Sequence, residues 1–354
     1  MNNRLTKTIE AIQPLDQEAA QAAAKRLESL TKPPGSLGFL EDLVQRYAAI
    51  RHDAAAQFGG GAVLVFVADH GITAAAVSAY PKAVTVEMLR NIGNGGAAIS
   101  VLARRLGYEL FVTDVGVEVD TSRTPLAGVR YRRVGAGTRN FLEAPAMSRE
   151  EAIQALEVGI ETTHEAAARG VTLLGIGEMG IGNSTSAATI LAGLTRLEPR
   201  RLVGRGSGVD EAGWQRKLAA VEAALERHRS CFDDGLRTLA AVGGYEIAAM
   251  AGACLAAAAV QIPVVVDGFI ATAAALAAER MRPGLSEYMF FGHRSAEGGH
   301  SLVLETLGAR PILDLAMRLG EGTGAAIAMK VIESALALFH EMATFASAGV
   351  SEKL

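Results

Sequence analysis

The strongest constraint on the fold of this chain comes from four apolar runs. Each run is followed within a few residues by an acidic residue and a glycine. They are AVLVFVADHG at 62–71, LFVTDVG at 110–116, VTLLGIGEMG at 171–180 and IPVVVDG at 262–268, with SEYMFFGH at 286–293 as a fifth candidate. Continuous runs of this kind are typical of strands buried on both faces of a sheet. Helical stretches at 151–169, 184–194 and 212–227 alternate with them. This alternation predicts parallel βαβ units in a doubly wound α/β fold, in which ligands bind at the carboxyl ends of the strands.

The composition excludes several classes of protein. Half of the 354 residues are hydrophobic and 20% are charged, so the chain can bury a large core and is not intrinsically disordered. The formal charge of −4 gives no general attraction to nucleic acid or anionic membranes, and an aromatic content of 5% gives few rings for stacking on bases. We therefore expect no nucleic-acid partner. The 39 glycines cluster where the predicted strands end, so we interpret them as turn residues rather than as a low-complexity sequence.

The cysteines and the apolar segments predict a cytoplasmic, soluble protein. Cys231 and Cys254 form neither a disulfide framework nor a zinc-binding spacing. The first residues lack the apolar run of a secretory signal. The most apolar stretch, 247–278, is interrupted by Pro263 and by polar residues. It predicts a buried helix, a short strand and a second buried helix, without membrane insertion.

The densest candidate site is the segment GIGEMGIGNST at 175–185. Gly175, Gly177 and Gly180 match the GxGxxG pattern of a dinucleotide-binding turn. Glu178 argues against that interpretation, because a carboxylate inside the turn would repel a pyrophosphate. Two alternatives stay open. A phosphate could bind further along the segment, at the helix start formed by Asn183, Ser184 and Thr185. Alternatively, the segment is an ordinary capped turn whose glycines serve packing.

Three further loops carry candidate chemistry. The loop GRGSGVD at 204–210, with Lys217 on the next helix, suits a phosphate or ribose unless it is a mobile surface loop. In GHRSAEGGH at 292–300, the two histidines lack a third metal ligand at short spacing, which favours structural histidines or a Ser295 hydroxyl on a phosphate. In RLGEGTGA at 318–325, Glu321 is either a desolvated general base or a solvated acid at a helix N-terminus.

Eight motifs follow one another in order over about residues 30–340: KPPGSLG (32–38), ADHGI (68–72), GGAAI (95–99), GIGEMGIGNST (175–185), GRGSGVD (204–210), DGFI (267–270), GHRSAE (292–297) and MRLGEGTGAA (317–326). In this order they resemble the motifs of the nicotinate-nucleotide–dimethylbenzimidazole phosphoribosyltransferase family. The resemblance implies transfer of phosphoribose from nicotinate mononucleotide to 5,6-dimethylbenzimidazole, with inversion at the anomeric carbon. The products are nicotinate and α-ribazole 5′-phosphate, which belongs to cobalamin nucleotide-loop synthesis. It implies no cofactor and no metal.

The resemblance also assigns residues to roles. Glu321 matches the catalytic base; Glu178 is expected near the ribose, and Lys217 near the site carboxylates or the phosphate. Further substrate-binding residues are expected in the same loops: Gly177, Gly180, Asn183, Ser184, Thr185, Gly206, Asp267, Ser295, Arg318 and Gly320.

The pocket for the acceptor base is expected from Tyr80, Pro81, Met88 and Leu319. Members of the family can carry Ser and Gln at the positions of Tyr80 and Met88. This chain therefore replaces two polar contacts with an aromatic edge and a thioether, which predicts a more apolar pocket. Its preference among benzimidazoles, phenolics and purines is open at this point.

For architecture, the resemblance implies a Rossmann-like, mostly parallel sheet with a small helical domain built from both chain ends. The expected boundaries are 31–324 for the large domain and 1–30 plus 325–354 for the small one; the spacing predicts helix over 1–30 and 325–348. A homodimer is implied as well, with the small domain helping to cover the partner's cavity. Two alternative functions remain: a non-catalytic nucleotide-binding protein, and an NAD-dependent dehydrogenase based on the GIGEMG segment.

Overall fold

A seven-stranded sheet forms the centre of the protein in a computed structural model, which describes residues 3–351. The strand order is β3-β2-β1-β4-β5-β6-β7, and every pairing is parallel. The strands are β1 (Gly61–Ala68), β2 (Glu109–Gly116), β3 (Val129–Tyr131), β4 (Leu173–Met179), β5 (Val264–Val266), β6 (Met289–His293) and β7 (Pro311–Leu313). The predicted doubly wound α/β fold is confirmed.

The five strands predicted from apolar runs are β1, β2, β4, β5 and β6, which make up the middle of the sheet. All eight residues of β1 are buried, because helices cover both faces of the sheet. The two missed strands, β3 and β7, lie at the edges, have three residues each and are half-buried. Such short, partly exposed segments carry no apolar run from which a strand could be recognised.

Fifteen α-helices surround the sheet in the described part of the chain. Their bounds are α1 (Asn3–Glu10), α2 (Gln17–Ser29), α3 (Phe39–Arg51), α4 (Val84–Gly93), α5 (Ala98–Leu106), α6 (Arg149–Ala168), α7 (Asn183–Thr195), α8 (Pro199–Leu202), α9 (Glu211–Arg227), α10 (Gly235–Val242), α11 (Tyr245–Ala259), α12 (Phe269–Met281), α13 (His300–Thr306), α14 (Thr323–Glu341) and α15 (Phe345–Ala348). Helices α6, α11 and α12 pack together as one layer, and α14 packs against α3 and α5 in a second. The segment 247–278 is helix, strand and helix, as predicted.

One described helix, α14, is long and apolar enough to span a membrane by length and composition alone. More than half of its most apolar window, 56%, is buried inside the protein, and the helix packs against β4, β5, β6 and β7. We therefore interpret α14 as a core helix of the fold.

The two chain ends meet, although neither forms one continuous helix. The prediction of a single helix over 1–30 is wrong within the described residues, because α1 and α2 are separated by a segment containing Pro14, which cannot donate a helical hydrogen bond. The Arg26 guanidinium donates to the carbonyls of Phe339 and His340, and a short antiparallel bridge joins residues 30 and 344. The extremes of the predicted small domain, 1–2 and 352–354, lie outside the described residues, and the domain boundaries stay a prediction.

Candidate active site

A cavity of about 460 Å³ opens at the carboxyl ends of the central strands, where a parallel sheet binds its ligands. It brings together residues from several separate loops and helix starts. The predicted site residues among those lining it are Tyr80, Met88, Glu178, Gly180, Asn183, Ser184, Gly206, Asp267, Ser295, Arg318, Leu319, Gly320 and Glu321.

Four predicted site residues do not line this cavity. Pro81 is exposed beside it, Thr185 is fully buried in the first turn of α7, and Lys217 is buried behind the wall. Gly177 lies within β4, and a side chain there would collide with the backbone of Glu321 and Gly322. The three buried residues among them can influence a ligand only through the groups that they support.

The GxGxxG segment is not a dinucleotide-binding turn. In such a turn the glycines follow the strand and face the pyrophosphate. Here Gly175 and Gly177 are inside β4, paired with Val63 and Val65 of β1. Their Cα atoms face α14 and the loop before it. The glycines therefore allow close packing of strand and helix, and the dehydrogenase alternative loses the feature on which it depended.

Glu321 is held in a conformation that few side chains adopt. Its φ is +62°, between Gly320 at +88° and Gly322 at +82°, immediately before α14. Left-handed backbone at a non-glycine residue costs free energy and is concentrated at functional sites. The residue is 4% exposed, and one carboxylate oxygen accepts a hydrogen bond from the N–H of Ile99, at the start of α5, at 3.3 Å. The alternative of a solvated acid is therefore wrong.

Burial raises the pKa of the Glu321 carboxyl, although the Ile99 N–H lowers it. A carboxyl with a raised pKa is a stronger proton acceptor once ionised. The apolar wall thus supplies the desolvation that a general base requires, and the glycines on each side of Glu321 give it the backbone freedom to reach that position.

Asp267 fixes the position of the Glu321 loop from the end of β5. Its Oδ1 accepts a hydrogen bond from Ala325 N at 2.8 Å, and its Oδ2 accepts one from Gly322 N at 3.3 Å. It therefore caps α14, whose own N-cap residue is a glycine without a side chain. Burial raises the pKa of Asp267 to about 7, against the lowering effect of these N–H donors.

Glu178 lies directly beneath the same loop, at the carboxyl end of β4. Its carbonyl accepts the N–H of Glu321 at 3.2 Å, and its carboxyl accepts a hydrogen bond from the Asn183 amide. A side chain at Gly320 would collide with the Glu178 carboxylate. Burial raises the pKa of Glu178 well above its usual range, and the charges of Glu246 and Asp267 raise it further. The cavity floor is thus a cluster of coupled carboxyls that resists full ionisation.

One side of the cavity is apolar and partly open to solvent. Tyr80 and Leu319 are 55% and 58% exposed and lie at the rim, and Met88 lines the same cavity. Val77, Val84, Ile181, Phe269 and Ile270 continue this surface inward. This apolar surface suits a flat hydrophobic ring, and the Glu321 carboxyl lines the same cavity.

Another part of the cavity lining, called the polar side, is formed by backbone and small hydroxyl side chains. Ser184 belongs to the first turn of α7, Gly206 to the 204–210 loop, and Ser295 to the loop after β6. Helix N-termini and glycine-rich backbone are typical anion-binding surfaces. The 204–210 loop is fixed rather than free, because Gly206 N donates to Glu297 and Ser207 contacts Ser78.

Several lining residues were not singled out from the sequence, among them Ser78, Ser207, His293 and Glu297. His293 and Glu297 lie inside the 292–300 motif, so the sequence indicated that they are near the site but not what they contact. His300 is a structural histidine, because its Nδ1 accepts from Ser295 N at 2.9 Å and its Nε2 contacts Thr272 Oγ1 at 3.0 Å. Within residues 3–351, no cluster of three His, Cys, Asp or Glu side chains is arranged to hold a metal ion.

The fold and the cavity define an α/β enzyme whose site combines a buried carboxyl group with a polar surface of the kind that can bind an anion. A family model described as phosphoribosyltransferase (DBI_PRT) matches residues 12–350. Two relatives are named nicotinate-nucleotide–dimethylbenzimidazole phosphoribosyltransferase. The protein from Chloroflexus aurantiacus is 49% identical over 347 residues, which is 98% of each chain. The protein from Geobacter sp. strain M21 is 46% identical over 98% of this chain and 99% of its own. The crystal structure of CobT from Thermus thermophilus superposes with a TM-score of 0.90 at 46% identity, covering 95% of this chain and all of the other. The chain belongs to the nicotinate-nucleotide–dimethylbenzimidazole phosphoribosyltransferase family.

Proposed function

We propose that this enzyme transfers the 5-phosphoribosyl group of nicotinate mononucleotide to 5,6-dimethylbenzimidazole, in the synthesis of the cobalamin nucleotide loop. Nicotinate and α-ribazole 5′-phosphate are the products. Family membership supports the reaction class. The observation that carries the mechanism is the desolvated Glu321 carboxyl, held by the Ile99 N–H on the wall of a cavity with one apolar side.

The chemistry needs one base and no general acid. One ring nitrogen of dimethylbenzimidazole attacks the anomeric carbon, and the bond from that carbon to the nicotinate nitrogen breaks. Because the nicotinate nitrogen is already positively charged, it takes the bonding electrons and leaves as a neutral ring nitrogen. The other benzimidazole nitrogen carries a proton that becomes acidic as positive charge builds, and Glu321 accepts it. A single in-line displacement inverts the centre from β to α.

We assign Glu178 to the electrostatic support of the reacting ribose and Asp267 to positioning. Glu178 lies at the floor of the cavity beneath Gly320, where it faces a ligand that develops positive charge at its anomeric carbon. Burial disfavours the ionised form of this carboxyl in the empty site, and the positive charge on a bound nucleotide favours it. Once ionised, the carboxylate stabilises the transition state more than the ground state. The 5′-phosphate is assigned to the polar side, at Ser184, Gly206 and Ser295, and the rings to the apolar side.

Mixing the purified protein with nicotinate mononucleotide and dimethylbenzimidazole tests this proposal. Chromatography should detect release of nicotinate that depends on the base. A non-catalytic nucleotide-binding protein would bind the nucleotide and release nothing. If no benzimidazole or purine base supports release, the transferase proposal is rejected.

The composition of the rim predicts the choice of base. Tyr80 and Met88 offer an aromatic edge and a thioether, so dimethylbenzimidazole should be preferred over adenine when both are supplied at equal concentration. The variant Tyr80→Ser with Met88→Gln should shift the ratio of products towards adenine by about 10-fold, the equivalent of roughly 1.4 kcal/mol. Val101→Ser, at an exposed position of α5 outside the cavity lining, is the control. Exclusive use of adenine by the native protein would contradict the assignment of dimethylbenzimidazole.

We further propose a cytoplasmic homodimer in which the small domain, 1–30 plus 325–354, helps to cover the partner's cavity. Apolar side chains at the cavity rim support this, since Tyr80 and Leu319 are each more than half exposed. Light scattering should give twice the chain mass of 36.9 kDa. A monomer at micromolar concentration would contradict the dimer.

A further inference from the structure

The ammonium group of Lys217 is enclosed behind the polar side of the cavity. The residue is 1% exposed, and its Nζ donates to Ser184 Oγ at 2.9 Å and to the carbonyl of Gly204 at 3.1 Å. Burial lowers the pKa of Lys217, and the nearby carboxylate of Glu297 opposes that effect. Because its donors are engaged by protein groups, Lys217 acts on a ligand through Ser184 and the 204–210 loop.

The partner of this buried charge is Glu297, which does line the cavity. Its Oε1 lies 3.7 Å from Lys217 Nζ and accepts a hydrogen bond from Gly206 N at 2.8 Å. Its own N–H donates to Ser295 Oγ at 3.1 Å. The carboxyl group is packed so closely against Gly204 that a side chain at that position would collide with it. Glu297 therefore connects the 204–210 loop, the loop after β6 and, through Lys217, the start of α7.

These contacts give the phosphate-binding surface an unusual charge balance. Ser184 and Ser295 place neutral hydroxyl groups at the proposed phosphate position, and the Gly206 N–H is already donated to Glu297. The guanidinium of Arg318 lines the same cavity and donates to the Gly206 carbonyl. The buried cation behind them, Lys217, is neutralised by Glu297. A buried charge acts strongly over several ångströms in a low-dielectric site, so its neutralisation weakens the attraction of the site for a phosphate dianion.

We propose that Glu297 is a positioning residue that also limits phosphate affinity, by neutralising Lys217 while it holds Gly206 in place. This inference rests on the proposed function, because it takes a sugar phosphate as the ligand. Limited affinity matters for turnover: substrate and product carry the same 5′-phosphate, so tighter binding of that group slows product release without lowering the barrier of the chemical step.

Two substitutions separate the charge of Glu297 from its hydrogen bond. Glu297→Gln keeps an oxygen that can accept from Gly206 N but removes the negative charge. We expect it to bind inorganic phosphate and nicotinate mononucleotide about 5- to 10-fold more tightly by calorimetry, and to lower kcat, with the KM for dimethylbenzimidazole unchanged. Glu297→Ala removes the acceptor as well and should weaken nucleotide binding. A purely structural residue would not give opposite effects in these two variants.

The double variant Lys217→Met with Glu297→Gln removes both charges and should return phosphate affinity to within about threefold of the native protein. Glu222→Gln, which removes an exposed charge from α9 away from the 204–210 loop, is the matched control and should change neither constant. Equal or weaker phosphate binding by Glu297→Gln would overturn the inference. Because phosphate binding is measured without any base, this outcome is distinct from failure of the transferase reaction, which the nicotinate-release assay reports separately.

Discussion

Replacement of Glu321 by glutamine should lower kcat by about 100- to 10,000-fold, the range that general-base catalysis contributes. Glutamine keeps the shape of the side chain and can still accept the Ile99 N–H, but it cannot take the benzimidazole proton. Binding of nicotinate mononucleotide should stay within about threefold of the native value, since the change affects an interaction made in the transition state. Steady-state kinetics and calorimetry measure the two quantities.

The pH dependence of kcat in the native enzyme provides a second test of Glu321 as the base. Burial raises the pKa of Glu321 above the 4.5 of a free glutamate, so the ionised base is lost, and kcat falls, as the pH drops through this higher value. The acidic limb should therefore lie above pH 4.5 and should be absent from the residual activity of Glu321→Gln. Glu226→Gln, at a carboxyl that is 78% exposed, is the control. Native turnover in Glu321→Gln would remove Glu321 from the mechanism.

The second large effect is expected at a glycine that does not touch the cavity. A Cβ atom at Gly177 would lie 2.5 Å from the carbonyl carbon of Glu321 and would collide with Gly322 N. Gly177→Ala should therefore displace the base loop and lower kcat by about 100-fold, because a shift of roughly 1 Å at a reacting group has effects of that size. Its free energy of unfolding should fall by about 1–3 kcal/mol from overpacking.

Gly175 provides a matched control on the same strand and the same face. A Cβ atom there would meet Met329 Sδ at 2.9 Å, and a methionine side chain can move aside where backbone cannot. Gly175→Ala should therefore lower the melting temperature while kcat stays within about threefold of the native value. Equal losses of kcat in the two variants would show that Gly177 has no specific connection to the Glu321 loop.

The central strands and most of the cavity could be predicted from the sequence because they follow one physical rule. A strand buried on both faces leaves a continuous apolar run, and its carboxyl end leaves a polar residue or glycine. Asp267 and Glu178 can be recognised in this way. The edge strands β3 and β7 could not be predicted, because three half-buried residues form no apolar run. The break near Pro14 was missed although proline is a known helix breaker.

Contacts between distant segments could not be predicted from sequence spacing. Lys217 and Glu297 are far apart in the chain, and only the fold brings Nζ and Oε1 within 3.7 Å. Likewise, the N–H of Ile99 reaches Glu321 from a helix start in a distant part of the chain. The glycines of 175–180 have the spacing of a ligand-binding turn, and that spacing does not reveal that β4 continues through Gly177 to Met179.

The central claim is a single in-line displacement at the anomeric carbon with Glu321 as the base. Two measurements test it most directly: the anomeric configuration of the product by nuclear magnetic resonance, and the amount of nicotinate released per product formed. We predict one nicotinate for each α-ribazole 5′-phosphate, with the α configuration throughout and no incorporation of labelled nicotinate into nicotinate mononucleotide when the base is absent. A β product, or label exchange without the base, would contradict the account, because either result requires an intermediate that a single displacement does not form.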